Sequence, residues 1–346
     1  MKNVLTKSAI LLASSLILTG SLFAKEKVEV LTVHHFLSPK APAHTKLLMP
    51  WAKKIEEMSK GRIKIELFPS MSMGGKPNEL YKQARNGSAD IVWTVAGYTP
   101  GVFPRTEVYE LPTVHRGSSL ATSIAIRENF DLIKDDFKKI KPLLIHTHAG
   151  NALHMVDKRV RNVSDLKGMK LRTPSRVGAW LIEELGAEPV GMPMPGFPQA
   201  LSKGAVDGGL IPFEVFPPFK FHQLTEFSAQ GANGDRFGTS VFLLLMNKDR
   251  FSSLDKDLQD LIEESFNMDM VKKIGQVWMD VEKPGMKMQA ASKNSEIARY
   301  DAKTMAQFDA AGQKVVERWI KEVSKKGIDG DMLVKKAREA IIRNSK

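Results

Sequence analysis

The sequence predicts an α/β protein built from two lobes. Segments typical of strands and helices alternate along residues 28–148, and a second alternating set begins after residue 165. The strongly apolar segment SVFLLLMNK, residues 240–248, then returns as a strand and is followed by helical sequence. Such alternation is typical of parallel sheets covered by helices, and the late strand indicates that the chain crosses between lobes more than once.

The first unit contains predicted strands separated by helices that end at glycines. One helix starts near Pro42 and ends at Gly61, and the next, PNELYKQARNG, ends at Gly87. Glycine directly after a periodic segment is a helix-stop signal. The predicted strands of this unit are VEVLTVHHF (28–36), RIKIELF (62–68), ADIVWTV (89–95) and PLLIHTH (142–148).

The second unit repeats this pattern with shorter segments. MKLRTP and EPVGMP are predicted strands, with a helix through WLIEELG between them and another from about Gly196 to Lys203. VDGGLIP follows, and the sequence from SSLDKDLQ onward predicts a long helical stretch through to the tail. Ligands of α/β proteins bind beyond the carboxyl ends of the strands, so we expect a site in the crevice between the units.

The N-terminus predicts a secretory signal peptide, residues 1–24, cleaved after Ala24. Lys2 and Lys7 precede an apolar run over residues 8–23, and small and polar residues follow it. An uncleaved anchor is the alternative, but polar residues interrupt the run, which falls short of the roughly 20 residues that a bilayer span needs. We therefore expect a mature protein outside the cytoplasm.

Composition narrows the class of protein further. The 346 residues are 42% hydrophobic and 26% charged and include no cysteine, so a packed core must stabilise the fold without disulfides. The net charge is +12, of which Lys2 and Lys7 contribute two. Basic residues are interspersed with acidic ones, as in KKIEEMSKGRIKIE, so we interpret the charge as solvated surface and expect no nucleic-acid partner.

Four segments in order resemble one known family. KGRIKIELFPSMSMGGKPNELYKQARNGSADIVW, VRNVSDLKGMKLRTP, ALSKGAVDGGLIP and VFLLLMNKDRFSSLDKDLQDLIEES together are similar to the extracytoplasmic solute receptors of tripartite ATP-independent periplasmic (TRAP) transporters. The resemblance implies a two-lobed periplasmic binding protein of type II, a Venus-flytrap fold with long bracing helices. It also implies a periplasmic receptor that closes over an organic acid and delivers it to a TRAP membrane permease driven by an ion gradient.

On this resemblance the lobes can be assigned to segments of the chain. We expect lobe I in residues 25–147 plus about 238–280, and lobe II in residues 148–237 plus about 281–330. Residues 331–346 would form a C-terminal helix or tail. A monomer is expected, because the receptor must dock on its permease.

The resemblance also gives Arg172 a role. The family clamps its substrate carboxylate with the arginine at the LRTP motif position, which Arg172 matches. A guanidinium offers a planar fork of donors that fits a carboxylate bidentately. The alternative role is a salt bridge that braces the lobe.

Two departures from the family bear on the substrate. Sialic-acid and dicarboxylate receptors carry a second arginine where this chain has Ala152 or Leu153, and many members read VDGQENP where this chain reads VDGGLIP, which places Ile211 in a polar position. Both changes remove polar contacts. They favour a monocarboxylate, with 2-oxo and aromatic acids as candidates, over succinate, malate or sialic acid.

Aromatic residues supply further candidates for the ligand site. WTVAGYTPG places Trp93 and Tyr98 after a strand, IPFEVFPPF contains Phe213 and Glu214, and Phe36 ends the first strand. Aromatic side chains give a concave site large apolar area, and Tyr and Trp add a polar group. Each of these aromatic residues could equally belong to the core.

Six of the eight histidines form two groups near predicted strand ends. His35 and His148 are the candidates for hydrogen bonding in the site, with core or surface positions as the alternative. His146 and His148 share a strand face, but the acidic ligands that metal-binding relatives use are not recognisable. We therefore expect neither a metal nor a cofactor.

Two other functional classes stay open. The sequence contains no G-x-S-x-G, P-loop or H-E-x-x-H motif and no cysteine nucleophile, so an enzyme is not expected. A secreted α/β enzyme that acts on a small organic acid through Glu214 and a histidine is nevertheless the main alternative. A surface adhesion protein that binds polyanions is the third, and it would bind in a salt-sensitive way.

Overall fold

The computed structural model describes residues 27–346 and confirms the α/β class, with two separate sheets. The predicted signal peptide, residues 1–24, lies outside the described residues. None of the helices in residues 27–346 combines the length and the apolar character that crossing a bilayer demands.

Eleven strands form within residues 27–346, and each sheet draws on separate stretches of sequence. In chain order they are β1 (Glu29–His35), β2 (Ile63–Phe68), β3 (Ile91–Val95), β4 (Lys141–Thr147), β5 (Ala152–Met155), β6 (Lys170–Thr173), β7 (Glu188–Gly191), β8 (Gly208–Ile211), β9 (Phe227–Gly231), β10 (Val241–Met246) and β11 (Glu296–Tyr300).

The first sheet has the strand order β2-β1-β3-β10-β4. β1 is parallel to β2 and β3, whereas β10 runs antiparallel to both β3 and β4. All six residues of β10 are buried, because helices cover both faces of the sheet at its centre. This burial explains why residues 241–246 form an unbroken apolar run.

The second sheet has the order β11-β9-β5-β8-β6-β7. β6 is parallel to β7 and β8, and β5 is antiparallel to β8 and β9. β4 of the first sheet leads to β5 of the second through residues 148–151, and β9 leads back to β10 through residues 232–240. The chain therefore crosses between the sheets in these two segments, which are hydrogen-bonded to each other at Asn151, and it crosses a third time between β10 and β11.

Thirteen α-helices lie among the described residues. In chain order they are α1 (Met49–Met58), α2 (Leu80–Asn86), α3 (Ser119–Glu128), α4 (Phe130–Ile133), α5 (Arg176–Glu184), α6 (Phe197–Ser202), α7 (Phe216–Phe219), α8 (Lys248–Ser252), α9 (Lys256–Glu264), α10 (Met268–Asp280), α11 (Glu282–Ala291), α12 (Ala302–Ser324) and α13 (Gly330–Asn344).

The C-terminal helices connect the two halves. α10 packs on α3 and β4 beside the first sheet, whereas α11, which begins two residues after α10 ends, packs on α7 beside the second. α12 packs on α5, and its Trp319 indole N–H donates to the carboxylate of Glu107. The same carboxylate accepts a hydrogen bond from Arg176 Nε of α5 at 2.8 Å. These helices are the long braces that the sequence resemblance implied.

Four strands, β5, β8, β9 and β11, were not predicted from the sequence. β5, β9 and β11 are short and contain polar or small residues, as in FSAQG and EIARY, so they lack a clear period-two pattern. β11 also interrupts the long helical stretch expected up to the tail. It is stabilised by parallel pairing with β9 at the edge of the second sheet. The lobe boundaries stay a prediction.

Gly285 of α11 packs against the segment that follows β8. A Cβ at this position would lie 1.9 Å from the carbonyl oxygen of Phe213. Alanine normally stabilises a helix interior relative to glycine by about 0.5–1 kcal/mol. Here we expect Gly285→Ala to lower the free energy of unfolding by about 1–3 kcal/mol, because α11 must move away from the segment after β8.

Urea unfolding measures this effect, and Lys287→Ala on the exposed side of α11 is the control, expected to stay within about 0.5 kcal/mol of wild type. Equal or greater stability of Gly285→Ala would contradict the packing described.

Candidate ligand-binding site

β6 carries Arg172 into the interior of the molecule, where 1% of its surface is exposed. Its Nε and Nη2 donate to the carbonyl oxygen of Met192 at 3.0 and 2.8 Å, and Nη1 lies 3.4 Å from the carbonyl oxygen of Leu210. Burial lowers the pKa of Arg172, yet a guanidinium stays charged in proteins. Among the described residues no carboxylate pairs with it, so this charge is buried without a counter-ion.

Arg172 lines a small cavity between the two sheets. Its volume is only about 30 Å³, so the walls lie close to one another. The lining residues come from both sheets and from the segments that cross between them. They are Phe36, Leu37, Val95, Tyr98, His148, Asn151, Arg172, Pro174, Met194, Pro212, Glu214, Val215, Ser240 and Phe242.

Tyr98 follows β3 of the first sheet and reaches across the cavity. Its hydroxyl oxygen accepts from the backbone N–H of Met194, which belongs to the other side, at 2.9 Å. Its ring meets that of Phe36 edge to face, with centroids 5.3 Å apart. Burial raises the pKa of Tyr98, so the phenol is neutral and retains a proton to donate.

Glu214 is the acidic residue of the cavity. Burial, followed by repulsion from Glu282, raises its pKa well above 4.5. Its backbone N–H donates to Glu282 Oε1 at 2.9 Å, while its own Oε2 has no hydrogen-bond partner. The carboxyl is therefore neutral over a range in which an exposed glutamate is ionised, and it can donate a hydrogen bond.

His148 is the first residue of the first crossing and is also neutral, because burial holds its pKa well below 6.5. Backbone N–H groups of Gly150 and Ser240 lie 2.9 and 3.0 Å from its two ring nitrogens. A neutral imidazole can accept at only one nitrogen, so the other contact is not a hydrogen bond in the same tautomer.

Five of the nine residues predicted from the sequence meet in this cavity, namely Phe36, Tyr98, His148, Arg172 and Glu214. Trp93 and His35 lie one layer behind the wall. Trp93 stacks on Phe36 and Phe242 and donates to His146 Nε2 at 3.2 Å. His35 Nε2 lies 2.9 Å from His44 Nδ1, and burial lowers its pKa to about 3.

Ile211 and Phe213 flank the cavity without lining it, because the intervening Pro212 does so instead. The carbonyl oxygen of Ile211 faces His154 Nε2 at 3.1 Å, so this residue is part of the core of the second sheet. The Phe213 ring packs against His154, with centroids 4.7 Å apart.

The cavity also contains residues that the sequence did not single out. Asn151, Ser240 and Phe242 come from the two crossing segments and the start of β10. Their only signal was position beside a predicted strand end. No three His, Asp or Glu side chains within residues 27–346 are arranged to hold a metal ion.

A larger hollow of about 610 Å³ opens on the outer face of the first sheet's half, against Phe130, Phe137 and Phe266. Lys141 and Glu263 in its wall pair with each other. With no buried unpaired charge, it offers less than the Arg172 cavity for recognising an ion.

Known proteins resemble this chain over most of its length. The family model for bacterial extracellular solute-binding proteins, family 7, matches residues 33–322. A marine metagenome TRAP solute-binding protein specific for aromatic acid ligands, crystallised with 3-hydroxybenzoate, is 39% identical, with a TM-score of 0.89 over 92% of this chain and 100% of that one.

Two further comparisons agree with that match. The TRAP solute-binding protein of Rhodoferax ferrireducens T118, in complex with copurified benzoate, is 36% identical with a TM-score of 0.87, over 91% of this chain and 98% of that one. The outer membrane transporter protein TsaT of Comamonas testosteroni is 22% identical over 92% of this chain and 94% of its own. The solved structures confirm the two-lobed solute-receptor fold.

The neutral state of Glu214 predicts a pH dependence. Because its folded pKa is raised, its contribution to stability is fully present below the unfolded pKa near 4.5 and is lost as pH rises through the folded pKa. Wild type should therefore lose stability relative to Glu214→Gln as pH rises from 5 to 8, by up to about 1.4 kcal/mol per pH unit.

Urea unfolding of the ligand-free proteins at several pH values measures this difference. Ser240→Ala, which changes a cavity residue without a titratable group, should differ from wild type by the same amount at each pH. A Glu214→Gln difference that does not vary with pH would show that the carboxyl is ionised throughout.

Proposed function

Because the chain belongs to the bacterial extracellular solute-binding proteins of family 7, we propose that it is a receptor for an aromatic monocarboxylate. The observation that carries this proposal is the buried Arg172 without an acidic partner in a cavity between the two halves. An unpaired buried charge is costly, and a ligand carboxylate is the group that would compensate it.

The guanidinium has donors left for this task. Three of its N–H groups face the carbonyls of Met192 and Leu210, which hold its plane in place. The remaining N–H groups, which the Tyr98 hydroxyl also approaches, can donate to a carboxylate, and such charge-assisted bonds are about twice as strong as neutral ones. Tyr98, with a neutral phenol that bonds to Met194, stands beside the same position.

The remaining walls suit an aromatic body. Phe36 and Phe242 provide ring faces, and Leu37, Val95 and Val215 add aliphatic surface. Flat apolar ligands gain from both burial and ring contacts in such a site. Relatives that are 36% and 39% identical bind benzoate and 3-hydroxybenzoate, which supports an aromatic acid as the ligand of this chain.

The charge of the lining argues against a second carboxylate. Of the described residues around the cavity, Arg172 alone carries a permanent positive charge, and Glu214 would repel another anion once ionised. We therefore propose a preference for monocarboxylates over succinate and other dicarboxylates.

Membership of the family extends the proposal to the protein's location and partners in the cell. The protein would act in the periplasm as a monomer, and it would deliver its ligand to a TRAP permease without chemical change. Lobe I would comprise residues 25–147 and about 238–280, and lobe II residues 148–237 and about 281–330. Incubation with candidate acids followed by NMR detection of products separates this receptor from a secreted enzyme that uses Glu214 and His148.

Substrate class has a direct test by calorimetric titration of the mature protein. Benzoate should bind saturably with one site per chain, whereas succinate and sialic acid should bind at least a hundredfold more weakly, because they present a second charge or polar groups to apolar walls. Tight binding of succinate without binding of benzoate would overturn the proposal.

Arg172 is the second test. We expect Arg172→Ala to weaken benzoate binding by roughly a hundredfold or more, since the carboxylate would be desolvated without its main partner. Arg172→Lys should recover only part, because an ammonium lacks the planar fork.

Arg318→Ala, on an exposed side chain paired with Glu183, is the matched control and should bind benzoate as wild type does. Thermal unfolding without ligand accompanies the titrations. Normal affinity in Arg172→Ala, or a large fall in its ligand-free melting temperature, would assign this arginine to structure.

A further inference from the structure

The cavity contains two buried polar atoms that have no hydrogen-bond partner and that do not belong to the carboxylate clamp. Asn151 and Glu214 are each 5% exposed, and neither Asn151 Oδ1 nor Glu214 Oε2 has a hydrogen-bond partner. Both residues line the same cavity as Arg172. Buried polar atoms are nearly always satisfied in folded proteins, so these two indicate a missing group.

The backbone holds Asn151 rigidly. Its N–H donates to the carbonyl oxygen of Gly238 at 2.8 Å, and its own carbonyl oxygen accepts from the N–H of Phe237 at 2.9 Å. The residue therefore joins the two segments that cross between the sheets. Its side-chain oxygen is a buried acceptor without a donor.

Contacts with α11 hold the backbone around Glu214. Its backbone N–H donates to Glu282 Oε1, and the preceding Phe213 carries the carbonyl oxygen against which Gly285 of α11 packs. Because burial keeps the carboxyl neutral, it has a proton to donate as well as a carbonyl oxygen to accept. Asn151 thus needs a donor, and Glu214 can serve either a donor or an acceptor.

A hydroxyl group matches this pair, since it donates one hydrogen bond and accepts others. We propose that Asn151 and Glu214 form a subsite for an uncharged hydroxyl substituent on the ligand ring. The inference rests on the proposed function, because it places the ligand's carboxylate on Arg172. It distinguishes hydroxylated aromatic acids from benzoate, and relatives of this chain bind acids of both kinds.

Other substituents fit these two residues less well. A second carboxylate has no proton to donate to Asn151 Oδ1, and Glu214 would repel it once that carboxyl ionises. A methyl or methoxy group cannot donate and would leave the asparagine oxygen unsatisfied. An ammonium could donate to both residues, and it is the rival that the experiment must separate.

The experiment is calorimetric titration of the mature protein with benzoate, with 2-, 3- and 4-hydroxybenzoate, with 3-methoxybenzoate and with phenylalanine. At least one hydroxybenzoate isomer should bind tenfold or more tightly than benzoate and 3-methoxybenzoate, because sites built for a hydroxyl discriminate strongly against ligands that lack it. Phenylalanine, which carries an ammonium, should bind more weakly than that isomer.

Two variants assign the preference to the proposed residues. In Asn151→Leu and Glu214→Met, the ratio of the affinities for the hydroxylated isomer and for benzoate, each measured on the same variant, should fall below threefold. Asn86→Leu, an exposed asparagine at the end of α2, is the matched control and should keep the full preference.

Each outcome bears on a different proposal. Equal affinity of the wild type for benzoate and all three isomers, with binding that still depends on Arg172, overturns the hydroxyl subsite and leaves the proposed function standing. Tighter binding of phenylalanine assigns the subsite to an ammonium instead. Failure of every aromatic acid to bind overturns both, and the wild-type series decides even if a variant does not fold.

Discussion

The burial of the Arg172 guanidinium without an acidic partner is the constraint on which the site depends. Keeping a charge there requires oriented carbonyls, which Met192 and Leu210 supply, and it requires room beside β8. A Cβ at Gly209 would lie 2.9 Å from Arg172 Cβ and 2.8 Å from the Phe197 ring. The double glycine of VDGGLIP thus lets two strands approach around a large charged side chain.

The two halves share the work of recognition. Arg172 and Met194 belong to the side of the second sheet, whereas Phe36, Tyr98 and Phe242 belong to the first. A carboxylate on the guanidinium would place its apolar body against the opposite wall, so neither half could bind it alone. The loop that contains Met192 and Met194 orients the arginine, and the backbone N–H of Met194 donates the hydrogen bond that reaches Tyr98 across the cavity.

Sequence reasoning singled out Arg172 and predicted a crevice between the two units, because Arg172 belongs to a motif and strand ends can be read from apolar patterns. Sequence reasoning could not distinguish residues that line the cavity from residues that pack directly behind them. Phe36 lines the cavity and its neighbour His35 does not, since adjacent strand residues face opposite ways and the pattern leaves both possibilities open. Asn151 depends on tertiary contacts between the crossing segments, which no local pattern encodes.

The crossing segments connect ligand recognition to the relative position of the halves. Arg236, in the second crossing, pairs with Glu282 at 3.2 Å, and both side chains are buried. Glu282 is the first residue of α11, next to the end of α10, and it accepts a hydrogen bond from the backbone N–H of Glu214 in the cavity. Glu282 therefore contacts the second crossing, the junction of α10 and α11, and the cavity. A ligand that shifts the segment after β8 would act directly on the elements about which the halves would move. Because separating a buried ion pair is costly, the contact between Arg236 and Glu282 would oppose any motion that pulls the second crossing away from the start of α11.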